Sequence, residues 1–279
     1  MTHINSISCG QGAPSLFLIV MAGEGMFPAD VVIVADTGWE NDMLWNTGQR
    51  TTAREFFEQV TKPLAESYGI DAAFVRAIDG NGDEQPPLHL DQRLVGSKVE
   101  IDIPLYGSRG GQLSQSCTQK WKVSAIRQEL RRRGATTATT ALGIHRREPH
   151  RIKPSDVQWQ LSAWPLCDMM QTPDGNSVSM GIGKTWDRAS IESEMNRRNV
   201  PYIVTSECDG CPHKDKDWSR WQRTSPETIE ELASFEAQFG GQFFLTSYRK
   251  PLKEALALME RDNSTGSIFD GCDSGYCFV

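Results

Sequence analysis

Between Ile4 and Glu40 an apolar start, a glycine-bearing turn, a long apolar run and a β-branched run follow one another. No other stretch constrains the fold as much. The start INSIS leads into Ser8-Cys9-Gly10-Gln11-Gly12-Ala13-Pro14-Ser15; LFLIVMA follows, and then VVIVA, which ends at Asp36-Thr37-Gly38. Read as strand, turn, helix and strand, this is one right-handed βαβ unit with its turn at the carboxyl end of the first strand. Open parallel sheets bind ligands there. Gly10 and Gly12 let the backbone curl with its N–H groups inward, and Pro14 suits the first turn of a helix. Ser15 adds a hydroxyl at the positive end of the helix dipole. Asp36, at the tip of the second strand, is placed to hydrogen-bond a ribose hydroxyl or to orient a metal ion such as Mg²⁺. No Gly-Lys-Ser/Thr follows the glycines, so Walker-type γ-phosphate transfer is not expected.

The pattern continues with alternating helices and strands. TTAREFFEQVTKPLAESYG reads as an amphipathic helix ending at Gly69, and DAAFVRAI as a third strand. Residues 79–116, rich in Gly, Pro, Asp and Ser, read as a long irregular insertion, a kind of loop that usually serves function. CTQKWKVSAIRQELRRRG predicts a helix stopped by Gly134, and TTATTALGI a further strand. RASIESEMNRRN, PETIEELASFEAQFGG and PLKEALALMERD predict three more helices, with PYIVTSE a short extended piece. The expectation is an α/β protein with an open, mostly parallel sheet flanked by helices and a Cys-rich C-terminal region. Its domains would be 1–205 and 206–279. No run approaches the roughly 20 apolar residues of a membrane span, and MTHINSIS does not read as a secretory signal. No membrane association and a cytoplasmic location are therefore expected.

The net charge of −7 argues against a surface coated for nucleic acid. Basic residues nevertheless concentrate locally: Arg127, Arg131, Arg132, Arg133, Arg146, Arg147 and Arg151, with Lys120 and Lys122 upstream. Two readings stay open, a solvated helix face plus a polyanion pocket, or a nucleic-acid groove along Arg127–Arg133. In the second charged loop, Gly143-Ile144-His145-Arg146-Arg147-Glu148-Pro149-His150-Arg151, Arg146 and Arg151 are candidates to grip a phosphate or sulfate, with Glu148 orienting one of them. His145 and His150 read as surface histidines rather than ligands.

Seven cysteines, an odd number, fit metal or thiol chemistry better than a disulfide set. Cys208-Asp209-Gly210-Cys211-Pro212 is a knuckle whose two thiolates converge on one metal, and Cys117, opening the basic helix, is the best third ligand. A 4Fe–4S cluster with one open position, structural zinc and a redox pair all remain open. Cys272 and Cys277, in the Gly-flanked tail, are candidate swinging nucleophiles or inert surface thiols. Cys9 and Cys167 read as packing residues.

Taken in order, these segments resemble the phosphoadenosine-phosphosulfate reductase family of the PP-loop (adenine nucleotide alpha-hydrolase) superfamily, over roughly residues 4–220 and into the tail. The family's first loop is matched by Ser8, Gly10, Gly12 and Ser15, and its Asp-Thr-Gly by Asp36, Thr37 and Gly38. Its Cys-Thr-x-x-x-Lys is matched by Cys117, Thr118 and Lys122. Gly143, Ile144, Glu148 and Arg151 match Gly-Ile-x-x-x-Glu-x-x-Arg, and the Trp-Pro-Leu and Cys-x-x-Cys-Pro segments are also present. There are departures. Gln11 stands where a second glycine is usual, and Pro14 where an acidic or amide residue precedes the serine. They bear on cleavage between the α- and β-phosphates rather than on holding a nucleotide. Ser116-Cys117 replaces the Cys-Cys pair of the iron–sulfur adenylyl-sulfate reductases and is closer to the sulfurtransferase branch that includes DNA-phosphorothioation enzymes. The reductases' terminal Glu-Cys-Gly-Leu-His is absent, and Cys277 is its positional analogue.

The resemblance implies an enzyme that uses ATP or adenylyl sulfate together with a cluster on Cys117, Cys208 and Cys211, and with a sulfur- or electron-donor protein. In one version a tail thiolate, Cys277 with Cys272, attacks the sulfur of activated sulfate and releases AMP or its 3′-phosphate. In the other, ATP adenylates an oxygen of a nucleic acid and sulfur replaces it. A nucleotide-sensing or scaffold subunit with a degenerate loop is the third reading.

Overall fold

The computed structural model describes residues 2–95, 98–204, 208–213 and 218–264. Cys272 and Cys277 lie outside them. The described chain forms two compact units.

The first unit is built on a seven-stranded sheet. In chain order it contains β1 (His3–Ser8), α1 (Ala13–Gly23), β2 (Val31–Ala35), α2 (Ala53–Phe56), a π turn (Phe57–Thr61) and α3 (Lys62–Ser67). Then come β3 (Asp71–Val75), a second π turn (Thr118–Val123), α4 (Ser124–Arg132), β4 (Thr137–Leu142) and β5 (Gln160–Trp164). Last are β6 (Met169–Gln171), β7 (Ser177–Ser179) and α5 (Arg188–Arg197). The sheet order is β7-β6-β5-β4-β1-β2-β3. The five strands from β5 to β3 are parallel, and β6 and β7 extend the sheet as an antiparallel hairpin. The α/β expectation holds, with an antiparallel edge.

The sequence pattern explains the layers. VVIVA alternates within a strand buried on both faces, as a central parallel strand must be. Val32 and Val34 pack with Ile7, α1 and the Phe56–Val60 segment. Val31 and Ile33 pack with Ile4, Ile126 and Leu130 of α4 on the other face. Helix α1 is apolar all round, which is the signature of a core helix: Leu16, Leu18, Ile19, Val20 and Met21 have no exposed surface. Helix α2 starts on a capping box in which the Thr52 hydroxyl accepts from Glu55 N at 3.2 Å and the Glu55 carboxylate accepts from Thr52 N at 2.9 Å. Gly69 ends the helical stretch with φ +71°, and Gly134 follows α4 with φ +82°.

The second unit combines residues from 86–118 with residues from 208 onward. Of the insertion expected over 79–116, residues 79–85 stay with the first unit and residues from 86 onward group with the C-terminal stretch. Backbone pairing is the reason: Tyr106–Gly107 runs antiparallel to Phe243–Phe244, and Ser108 N donates to Gln242 O at 2.9 Å. This unit holds α6 (Trp218–Thr224), α7 (Pro226–Ala237) and α8 (Leu252–Ser264). Trp218 and Trp221 are fully buried, edge to face at 5.2 Å. The buried Glu236 carboxylate, its pKa raised by burial, accepts from Leu245 N and from Leu252 N at the start of α8.

Among the described residues no helix is long and apolar enough to cross a membrane. Because α1 is enclosed, truncating Leu18→Ala should cost about 3 kcal/mol of stability through lost burial and a residual cavity. Urea unfolding measures this, and a cost under about 1 kcal/mol would contradict a close-packed α1.

Candidate functional site

The parallel strands run β3-β2-β1-β4-β5, so the connections leaving β1 and β4 diverge at the carboxyl edge, the place where open parallel sheets bind ligands. Ser8 lies in register with Ile33 on one side and Leu142 on the other, which brings the loops after β1, β2 and β4 to one edge. Gly143 follows β4 and lies against the first turn of α1. A Cβ there would stand 2.9 Å from Ser15 N and 3.1 Å from Pro14 C, so a side chain would collide with backbone.

Gly12 is the N-cap residue of α1, no side chain caps that end, and the first turn carries no acidic residue. Such an end leaves backbone N–H groups for an anion. Pro14 sits in this first turn, where a missing N–H costs nothing. Gln11 has φ +63°, the left-handed conformation that a glycine would adopt easily. Gln11 thus holds, without being glycine, a conformation that glycine adopts easily. The Ser15 hydroxyl donates to Gly12 O at 3.1 Å and accepts from the Cys9 thiol at 3.6 Å. It braces its own loop. Cys9 is buried in the core, and burial pushes its thiol up to about 11.

After β2, Asp36 N donates to Val75 O at 2.7 Å. One Asp36 carboxylate oxygen accepts from Gly38 N at 2.7 Å and the other from Arg76 Nη2 at 2.5 Å. Thr37 Oγ1 accepts from Trp39 N at 3.3 Å, and Gly38 has φ +67°. Arg76 was not among the expected residues. A cation directly after the third strand, beside the carboxylate that ends the second, was the available signal. Arg76 Nε is buried without a hydrogen-bond partner among the described residues. Nearby, Lys122 Nζ meets Glu40 Oε1 at 2.9 Å, both largely buried.

In the loop after β4 the two arginines that are expected to act together have different carboxylate partners. Arg151 is buried and bonded to Glu148 at 2.9 Å, whereas Arg146 is half exposed and reaches Asp187 at 2.5 Å. Arg147 is exposed. Asp187 caps α5, and the Ser190 backbone N–H, the Ser190 hydroxyl and Arg146 hold its carboxyl well below the usual range. His145 lies 3.4 Å from Glu148, and burial pulls its pKa below the ordinary histidine value. The half-buried Cys167 donates to Ile144 O at 3.4 Å, its thiol raised by burial and then by Glu148.

Most of the basic helix is internally engaged. Arg127 bonds Gln160 and Asp156, and Arg131 stacks 3.7 Å over Trp159 and donates to Ala135 O. Arg132 and Arg133 both bind Glu129, and Arg133 also reaches Asp71. The partners Asp71, Asp156 and Gln160 come from distant segments, so α4 does not present a row of unmatched cations.

Cys117, Cys208 and Cys211 all fall in the second unit. The Cys208–Cys211 turn closes through Cys211 N to Cys208 O at 3.1 Å, with Gly210 at φ +67° and both side chains buried. That turn fits two ligands of a metal. Among the described residues no group of three or more His, Cys, Asp or Glu side chains is arranged to hold a metal ion.

Compared with known proteins, the chain matches no protein-family model, no curated sequence and no solved structure.

The site geometry makes two predictions. Gly143→Ala should destabilise the fold by about 1–3 kcal/mol, because backbone rather than a flexible side chain must give way; thermal unfolding measures it, and a neutral effect would mean that the two loops separate readily. Cys9 should resist alkylation at pH 8 until the protein unfolds, read by mass spectrometry. Its folded pKa lies above the ordinary 9.0, so the stability it contributes is present below pH 9 and lost as pH rises towards about 11. The stability advantage of wild type over Cys9→Ala should therefore shrink across that window.

Proposed function

We propose that this protein is a nucleotide-dependent sulfur-chemistry enzyme that binds an adenine nucleotide, ATP or adenylyl sulfate, at the carboxyl edge of the sheet, beside the β1–α1 loop and the loop that begins at Gly143. The observation that carries the reading is the approach of Gly143 to the uncapped start of α1 at the switch point of a 3-2-1-4-5 parallel sheet. A helix end without a side-chain cap offers backbone N–H groups to a phosphate, and the packing of Gly143 against that end brings the loop after β4 to the same place. Asp36, oriented by Gly38 N and Arg76, is the group offered to a ribose. The half-exposed Arg146, backed by Asp187, is offered to the anionic end of the substrate.

The sulfur assignment comes from the family resemblance of the motifs, and so do the nucleophile and the cluster. Cys277 would attack the sulfur of an activated sulfate, releasing AMP or its 3′-phosphate and leaving an S-sulfonate on Cys277; Cys272 or a donor thiol would then displace sulfite and form a disulfide with Cys277. If the Cys208–Cys211 turn holds an iron–sulfur cluster with Cys117, that cluster would supply redox or electrostatic support. The carboxylate partners of Arg127, Arg132 and Arg133 give these cations roles other than a nucleic-acid groove on α4. The reading therefore favours a small nucleotide substrate over a polynucleotide acceptor. The left-handed Gln11 speaks against a collapsed, degenerate loop.

A melting panel with ATP, adenylyl sulfate and its 3′-phosphate tests this directly. At 100 times the dissociation constant the productive ligand should add about 2.7 kcal/mol, a rise in melting temperature of several degrees. Sulfite release from adenylyl sulfate, lost in Cys277→Ser, would select reduction; pyrophosphate release that requires added nucleic acid would select the transferase instead. No shift with any of the three nucleotides would sink the reading.

A further inference from the structure

Gln11 occupies a backbone conformation suited to glycine, yet its side chain is almost fully buried and bonded at both ends. Its Nε2 donates to Ala53 O at 3.0 Å, and its Oε1 accepts from Thr61 Oγ1 at 3.4 Å. Its own carbonyl accepts from Ile203 N at 3.0 Å, and Gly12 bridges Ile203 as well. The bonds continue beyond Gln11. Ala53 N donates to Glu40 O at 2.8 Å, and the Glu40 carboxylate receives Lys122 at 2.9 Å.

The two outer members of this chain share an uncommon feature. Thr61 closes the π turn Phe57–Thr61, and Lys122 lies in the π turn Thr118–Val123. A π turn adds one residue to a helical turn, which rotates the following side chains by roughly 100° relative to an unbroken α-helix. The fully buried Thr61 reaches Gln11 from that altered phase. Such departures concentrate at functional sites, and here both lie along the bonds that reach the loop at the carboxyl edge of β1.

We propose that Gln11 is a positioning residue. Its buried amide, clamped between Ala53 and Thr61, holds the β1–α1 loop in the left-handed geometry that presents the start of α1 to the nucleotide. The proposal rests on the nucleotide site described above. The side chain is bonded into the α2–α3 segment, so its contribution is conformational.

The test uses the full chain and two probes, ATP and adenylyl sulfate, with affinity measured by calorimetry. Gln11→Ala keeps the steric cost of the left-handed backbone and loses the clamp, so affinity should fall about tenfold. Gln11→Gly removes the steric cost and should bind within about threefold of wild type. Thr61→Val should weaken binding in wild type and have no effect in Gln11→Gly, a non-additivity that a merely structural threonine would not produce. Wild-type affinity in Gln11→Ala would overturn the proposal. Equal losses in the alanine and glycine variants would overturn it too, because the side chain would then touch the nucleotide. If wild type binds neither probe, the nucleotide reading falls, and hydrogen exchange decides the positioning claim separately. Amides of residues 9–13 should exchange faster in Gln11→Ala and Thr61→Val than in wild type; unchanged protection would refute it.

Discussion

Strand β1 shares its backbone groups with β2 along one edge and β4 along the other, in a register that sets Ser8 opposite Ile33 and Leu142. A strand paired on both edges has no freedom to slip, because a one-residue shift would turn Ile7 away from α1 and Ile4 towards it. Helix α1 is equally constrained, since it has no polar face to offer to solvent. Its axis is set by packing, and its N-terminus must open at the carboxyl edge of the sheet. The left-handed turn at Gln11, the glycine at 143 and the orientation of Asp36 are local answers to that fixed helix entrance.

Buried polar groups carry the same order into the sheet. Ser6 meets Thr140 at 2.9 Å, Gln160 donates to Thr140 at 2.8 Å, and Arg127 donates to Gln160 at 2.8 Å before reaching Asp156. Every step satisfies a group that would otherwise be costly to bury, and together they tie α4 to the polar strand TATTAL. This accounts for arginines in a protein with net charge −7. Several of them serve internal carboxylates and carbonyls, which leaves Arg146 and Arg147 as the more exposed cations of the loop after β4.

What could be read from sequence was what depends on local pattern. The βαβ unit and the stops at Gly69 and Gly134 need only neighbouring residues to be recognised, and they stand where the pattern places them. The meeting of Gly143 with α1 followed from parallel topology, since both loops had to end at one edge. Arg76 escaped notice because its importance lies in pairing with Asp36, 40 residues away. The arginines of α4 looked available because Asp71 and Asp156 are remote in sequence. The π turns leave no mark in apolar spacing that distinguishes them from a continuous helix. The β6–β7 hairpin did carry a local sign, the turn Thr172-Pro173-Asp174-Gly175 between two short β-prone runs. The pairing of Tyr106–Gly107 with Phe243–Phe244 had none, because two-residue strands fall below any periodicity.

Gly143 and Gln11 show two different solutions to one demand for close backbone approach. At Gly143 the constraint is space: a Cβ would meet the backbone of Pro14 and Ser15, and no rearrangement of side chains relieves that. At Gln11 the constraint is dihedral angle, which a larger residue can satisfy if something offsets the strain of a left-handed conformation. The buried amide, bonded at both ends, supplies that offset. A glycine at 11 would give the same shape with more conformational freedom to lose on folding. Glutamine instead ties the loop to α2 and the first π turn, so any movement of that segment must also move the entrance of α1. In the fold, Gln11 is therefore a reason for the loop to be held in place.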